Sequence, residues 1–305
     1  MNVREYLPKN EYDYQSIIRL SELSDTDFRK IAFDVLEYLK DDEHPLFHLA
    51  VDLLVLHQDV IISETKKAFG QNDQNWKRNL LDSLIIRLSK QNKAKLKPLI
   101  TKSLNVPQLK ESATECLEYC FNGRPLIRPA GLFDANKLAD VKLQIWLETF
   151  KDIYPAEKIN NYNHKKYEDY FNRQIDNPEV SLYVVEKDSE LCGYMCCGTA
   201  EKPYEGISQE LSQLNLLKNV QKQHLGRKLF ELAARIIEFK GYDEFCFCCN
   251  KYNYDAQKFY ERMGATVMAE DEDNQDRSLP QIHYHFQIKK KEGQNEENSD
   301  NYQIS

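Results

Sequence analysis

Residues 221–227 read Gln-Lys-Gln-His-Leu-Gly-Arg and lead into apolar positions at helical spacing: Leu225, Leu229, Leu232, Ala233, Ile236 and Ile237, with Gly241 placed as a C-terminal cap. A polar, glycine-bearing turn that opens a helix can wrap a pyrophosphate. First-turn N–H groups have no intrahelical acceptor and the macrodipole is positive there, so an anion is held without a dedicated cation. A second cluster follows in Asn253, Ala256, Phe259, Tyr260 and Gly264. Ala256, Phe259, Tyr260 and Met263 share a helix face, Asn253 suits the N-cap and Gly264 the position after the last turn. Residues 244–249 between the clusters read as a strand. So do residues 210–217 upstream, although Leu211 is not in phase with every later apolar position. The order is strand, loop, helix, strand, helix, strand.

The two clusters together resemble the GCN5-related N-acetyltransferase family over about residues 124–289. The family's loop pattern, Gln or Arg, two residues, Gly, one residue, Gly or Ala, falls on Gln221, Lys222, Gln223, His224, Leu225 and Gly226. Its later pattern falls on Asn253, Ala256, Phe259, Tyr260 and Gly264. The resemblance implies an α+β fold with a mixed, splayed central sheet flanked by helices and acetyl-CoA held between two parallel strands. One departure stands inside the loop, where His224 replaces the usual first glycine. That position can need a positive φ, which histidine tolerates better than most side chains. His224 is therefore expected to keep its N–H toward the phosphates and to turn its ring away.

The same resemblance orders the residues in front of the loop. Residues 124–128 fit a first strand, and Asp134 suits the cap of a helix carrying Leu138, Val141, Leu143, Ile145 and Trp146. Residues 146–155 are similar to a segment of a subgroup that includes polyamine acetyltransferases and closes over the acceptor side. Trp146, Phe150 and Tyr154 read equally as packing residues or as substrate-facing ones. A helix at 167–175 and a hairpin of residues 181–186 and 191–197, turning at Asp188 and Ser189, complete the set.

Transfer to an amine needs a base, because an alkylammonium of pKa about 10.4 cannot attack a thioester at neutral pH. Alone, Glu210 would read as a solvated charge at a strand start; the family register makes it the implied base. Glu205 and the carboxylates of 271–276 are weaker candidates. The resemblance places the oxyanion donor and the pairing with the pantetheine arm on the main chain of Asn215, Leu216 and Leu217. It assigns the phenol of Tyr260 as the acid for the departing thiolate, against a reading as a satisfied core tyrosine. The cofactor-side set is Gln221, Lys222, Gln223, His224, Leu225, Gly226, Arg227, Asn253 and Phe259.

Other chemistries fit less well. Cys246, Cys248 and Cys249 lie on one strand, so alternate thiols face opposite ways and do not converge on zinc. His283 and His285 share a strand face and read as a satisfied or exposed pair. With eight cysteines and no signal peptide in view, the thiols are expected to be reduced in a cytoplasmic setting. No apolar run approaches membrane-spanning length, and a net charge of −8 argues against nucleic acid as a main partner.

Residues 1–122 differ in character. Glycine is nearly absent and helical faces follow one another: Ile17 and Ile18; Phe28, Ile31, Val35 and Leu39; Leu49, Leu53 and Leu54; Trp76, Leu80, Leu84 and Leu88; Leu109, Ala113, Cys116 and Leu117. Breaks fall at 41–45, 70–73 and 105–107. The segment resembles an uncharacterised bacterial all-helical domain family, through Leu7-Pro8-Lys9, the 39–45 turn and Trp76-Lys77. Such an array supplies a binding surface or a dimer contact. Residues 123–290 form the transferase domain in this reading, and 291–305 a polar, mobile tail. The expected activity is direct acetyl transfer from acetyl-CoA to a primary amine, a polyamine-like small molecule first and a protein amine second. The alternative is a helical interaction module fused to a silent, CoA-sensing or structural domain.

Overall fold

Two hydrophobic patterns of different period divide the chain. In the computed structural model, which describes residues 3–289, short helices run from Val3 to Phe121 and a seven-stranded sheet begins at Leu126. The expected tail at 291–305 lies outside the described residues. No helix among those residues is long and apolar enough to cross a membrane.

The helices of the first region bury one continuous core that includes Ile17, Leu20, Phe28, Ile31, Leu36, Leu39, Trp76, Leu80 and Ile100. Trp76 and Asn79 fasten it by donating to the carbonyls of Leu36 (2.9 Å) and Leu39 (3.0 Å). The single helix expected from Trp76 to Leu88 is broken up. It is α-helical over Gln74–Asn79, widens to a π turn over Leu80–Leu84, tightens over Ile85–Arg87, and Leu88 is extended. Leu80, Leu81, Leu84, Ile85 and Ile86 are all buried. That stripe is broader than one straight α-helical face, and the wider turn lets each side chain reach apolar neighbours.

The strands are β1 (Leu126–Pro129), β2 (Val180–Lys187), β3 (Glu190–Tyr204), β4 (Ile207–Leu216), β5 (Glu244–Asn250), β6 (Thr266–Glu270) and β7 (Gln281–Gln287), in the spatial order β1-β2-β3-β4-β5-β7-β6. Neighbours are antiparallel except β4 and β5, which are parallel and share the single paired position Glu210↔Cys246. The register of β3 on β4 shifts between Cys196↔Gln213 and Cys197↔Leu211, leaving Ser212 as an extra residue. This bulge explains the phase of Leu211: it and Leu214 both join the core on one face although three residues separate them.

Four longer helices of this part, α1 (Ala135–Ile145), α2 (His164–Ile175), α3 (Leu225–Phe239) and α4 (Tyr254–Met263), cover the sheet in pairs. Leu138, Val141 and Ile145 of α1 and Phe171 of α2 pack on Leu182, Val184, Tyr194 and Cys196. Leu229, Phe230, Ala233 and Ile237 of α3 and Tyr260 of α4 pack on Met195, Leu211, Phe245, Phe247 and Tyr284 from the opposite side. Phe230, 1% exposed, touches the rings of Phe245, Phe247, Phe259 and Phe286, so truncating it would cost about 3–5 kcal/mol.

The two regions are joined by buried polar contacts. Asp52 pairs with Arg87 at 2.7 Å and accepts from the Leu132 amide at 2.8 Å. The tip of the β2–β3 hairpin, with φ of +53° at Asp188 and +71° at Ser189, presents the Ser189 hydroxyl to the Leu88 carbonyl at 2.7 Å and to Lys93 Nζ at 3.1 Å. Asp134 departs from its expected capping role. Its carboxylate instead accepts from the Gly131 amide and pairs with Arg128, which also holds Glu186, and this holds the carboxyl below its ordinary range despite burial.

Candidate active site

The loop before α3 is shaped by two left-handed residues. Lys222 has φ +58° and His224 has φ +61°, ψ 5°, so the histidine adopts the conformation a glycine would take freely. This alternation turns successive amides toward one side of the chain, the arrangement that forms anion-binding nests. Among the described residues, none of the N–H groups from Lys222 to Arg227 has an intramolecular acceptor; the Gln221 amide goes to Lys218, and Lys228 is the first to bond back, to His224. Side chains brace the turn from behind. Gln221 Nε2 donates to the Leu216 carbonyl (2.9 Å), Gln223 Nε2 to the Asn219 carbonyl (3.1 Å), and Leu225 is buried in the core. The first turn of α3 carries no acidic residue, and exposed Arg227 lies 3.5 Å from Glu231.

Gly226 and Phe259 meet. A Cβ at Gly226 would sit 3.4 Å from the Phe259 ring and 3.9 Å from Leu216, so the glycine serves close helix packing rather than unusual backbone angles. Phe259 thereby locks α4 against the loop. Asn253 accepts from the Ala256 amide at 3.2 Å, so its side chain is occupied as the N-cap of α4.

The main chain of β4 corrects one expectation. Leu217 N–H is already bonded to the Cys192 carbonyl of β3 at 2.9 Å, opposite the pairs Gly193↔Leu216 and Tyr194↔Asn215. By the alternation of an antiparallel ladder, Asn215 and Leu217 turn their polar groups toward β3, while Leu216 and Leu214 turn theirs toward the split from β5. The main chains of Asn215 and Leu217 are therefore engaged with β3, against the expectation, and Leu216 is the one of the three that faces the split. Leu214 was missed because the bulge that sets this register leaves no mark in the residue types.

Glu210 stands at the one paired position of the parallel strands, where they begin to diverge. It is half-buried, and desolvation, with Glu201 nearby, raises its carboxyl pKa. Tyr260 approaches from the opposite side of the sheet, 7% exposed, with its ring 4.4 Å from Phe247 and 5.8 Å from Tyr284. Burial raises its phenol well above the ordinary value, so the hydroxyl keeps its proton. A carboxylate and a phenol thus lie on opposite faces of the sheet.

The face under α1 and α2 carries residues that the motifs did not single out. Lys142 Nζ donates to Gln213 Oε1 at 3.3 Å and lies 5.1 Å from the Tyr167 ring, while Gln213 Nε2 donates to the Tyr170 hydroxyl at 2.6 Å. A signal was present: Leu138, Lys142 and Trp146 are four residues apart, which places a lysine on the apolar stripe of α1. Trp146 contacts Tyr154, Tyr162 and Tyr167, and Phe150 stacks on Tyr154. These rings pack the end of α1, the following turn and α2 together, and burial pushes the Tyr154 phenol up to about 12. Glu148 reaches across to accept from the Lys218 amide at 2.8 Å, joining this side to the start of the loop. His283 and His285 are partnered by Asp271 (3.3 Å) and Glu244 (2.9 Å).

A turn of unpaired amides beside two parallel strands that pair at a single position, with a carboxylate and a phenol on opposite faces of the sheet, suits an anionic, nucleotide-bearing cofactor within a mixed α+β architecture. Residues 146–265 match the acetyltransferase (GNAT) family, and residues 6–120 match a domain of unknown function (DUF5071). YuaI of Bacillus subtilis (strain 168), an uncharacterized N-acetyltransferase, is 27% identical over 117 residues, which cover 38% of this chain and 66% of that protein, just under two thirds of its length. Among solved structures, the PaiA N-acetyltransferase of Thermoplasma acidophilum in complex with coenzyme A is 20% identical, with 54% of this chain and 99% of that chain covered and a TM-score of 0.46. YncA from Salmonella typhimurium, solved with acetyl-CoA, is 17% identical, with 55% and 96% covered and a TM-score of 0.44.

Proposed function

We propose that the chain is an acetyl-CoA-dependent N-acetyltransferase that delivers the acetyl group directly to a primary amine of a small molecule within a ternary complex. The observation that carries this reading is the run of six unpartnered amides from Lys222 to Arg227 at the open end of the β4–β5 split. Acetyl-CoA supplies a thioester-activated acetyl group and a diphosphate matched to that run. The chain's own residues do the rest. The turn holds the diphosphate through main-chain donors, and the amide of Leu216 faces the split where negative charge develops on the acyl oxygen. Glu210 takes the ammonium proton, directly or through a water, and Tyr260 donates to the departing sulfur.

Glu210 suits this work because desolvation, with Glu201 nearby, lifts its basicity. Placing base and acid on opposite faces lets one group receive a proton while the other releases one. The helical region, taken as residues 1–122, serves in this reading as a protein-binding or dimer surface clamped to the transferase part (123–290), and the setting is cytoplasmic.

Thermal shift with acetyl-CoA tests the cradle. At about 100 times Kd, binding to the folded state adds about 2.7 kcal/mol of stability, and the midpoint rises. An unmoved midpoint overturns the reading. Thiol release across a panel of amines then tests transfer; binding without release from any amine would identify a CoA-sensing domain instead.

A further inference from the structure

The corner formed by Lys142, Gln213 and Tyr170 has an unbalanced hydrogen-bond inventory. Gln213 is used at both ends, accepting from Lys142 and donating to Tyr170. Lys142 has three N–H donors, of which one goes to Gln213; the Tyr170 oxygen accepts from Gln213 and keeps its own O–H to give. The surplus is weighted to donors: two on Lys142, one on Tyr170 and the second Nε2 hydrogen of Gln213, against spare lone pairs on the Gln213 and Tyr170 oxygens. Charge is unbalanced as well: among the described residues no carboxylate pairs with Lys142, and burial without a counter-charge pulls its ammonium down to about 8. The Tyr167 ring at 5.1 Å softens that cost without supplying a negative charge.

The corner belongs to the acceptor side. Tyr194↔Asn215, Cys196↔Gln213 and Gly198↔Glu210 place Gln213 on the same face of β4 as Glu210, under α1 and α2. Burial keeps the Tyr170 phenol protonated, with Cys196, Glu210 and Glu201 acting electrostatically in the same direction. Three residues along β4, about 10 Å at roughly 3.3 Å each and less across the bulge, separate the base from the corner.

We propose that Lys142 and Tyr170, oriented by Gln213, form a subsite for a carboxylate, and that the amine acetylated by this chain therefore carries an acidic group. A carboxylate offers only acceptors, fits the surplus donors and restores the missing counter-charge. A second ammonium, as in a diamine, would meet the like charge of Lys142 with only the spare lone pairs of two neutral oxygens to accept its hydrogens. The inference rests on the transferase reading above and specifies its acceptor.

The test uses the full chain, acetyl-CoA and ω-amino acids of increasing length, each compared with its own carboxamide and with the diamine of equal length, by thiol release. The expected result is a preference of about 10- to 100-fold in kcat/KM for the acid over its amide at one chain length, with the diamine poorest. Lys142→Met should raise KM for the acid to that of the amide and leave kcat, the amide's constants and acetyl-CoA affinity unchanged. Tyr170→Phe should give a smaller loss of the same kind. Equal rates for acid and amide in the parent chain overturn the subsite and leave the transferase standing. A Lys142→Met effect equal on acid, amide and acetyl-CoA makes the lysine a structural tie and also overturns it. Transfer to no amine in the parent chain overturns both proposals.

Discussion

In the proposed site, the two faces of the sheet would meet their ligands with different kinds of atoms. On the α3/α4 side the diphosphate is offered backbone: six amides held in position by left-handed residues and a close helix contact, with Gln221 and Gln223 turned inward as braces and Tyr260 the one side chain given a chemical role. On the α1/α2 side the chain offers side chains: Glu210, Gln213, Lys142 and Tyr170, each with a distinct charge or donor set. A diphosphate is one fixed shape, so the cradle can be generic. An acceptor varies between enzymes, and only side chains can encode the variation.

Tyr260→Phe should have the largest effect among the changes that probe this contrast. It keeps the ring packed among Phe247, Phe230 and Tyr284 and removes the donor. The expected loss in kcat is about 10²- to 10³-fold with acetyl-CoA affinity unchanged; unchanged turnover would show the tyrosine to be core only. Glu210→Gln comes next, at about 10- to 100-fold. The acid limb of kcat/KM should lie above the ordinary carboxylate range, because a base must be ionised and desolvation raises this carboxyl. Activity falls as pH drops through that raised value in the parent chain, and the limb should vanish in Glu210→Gln. A limb that persists assigns the base elsewhere.

The acceptor face also rests on the helical region. A Cβ at Gly131 would lie 2.3 Å from the Asp52 carboxylate, in the turn that sets the start of α1. Gly131→Ala should therefore destabilise by about 1–3 kcal/mol, seen as a lowered midpoint, and raise the acceptor KM while acetyl-CoA affinity holds. Equal damage to both constants would break the separation between the faces.

The difference in atoms also governs what could be read from residue types. The start of α3 was legible because a polar, glycine-bearing turn runs into a helical apolar stripe, and the phosphate role of that turn came from the family resemblance. Strand order, the hairpin turn at Asp188 and Ser189, and the helix face of Phe259 and Tyr260 followed from periodicity and turn chemistry. The Ser212 bulge was not legible, since any residue can be the extra one, and with it went the distinction between Leu216 and its neighbours. Asp134 misled because a carboxylate before a helix looks like a cap whether or not an arginine such as Arg128 claims it. Lys142 went unnoticed because a lone cation on an apolar stripe acquires meaning only when Gln213 and Tyr170 arrive from distant segments.

The smallest expected effect gives the most direct test of the contrast. If the cradle works through backbone, the identity of residue 224 matters only through its φ of +61°. His224→Gly keeps that angle accessible, so acetyl-CoA affinity should stay within about twofold, with stability shifted by under about 1 kcal/mol as the unfolded chain gains freedom. His224→Val carries a β-branched side chain that resists the left-handed region, at a cost of order 1–3 kcal/mol, and should weaken acetyl-CoA about tenfold or more while the Lys142 corner is untouched. Isothermal titration of both variants decides the matter. If glycine weakens binding as much as valine, the imidazole itself contacts the cofactor, and the rule that this face works through its main chain fails at the residue where the loop departs from the family pattern.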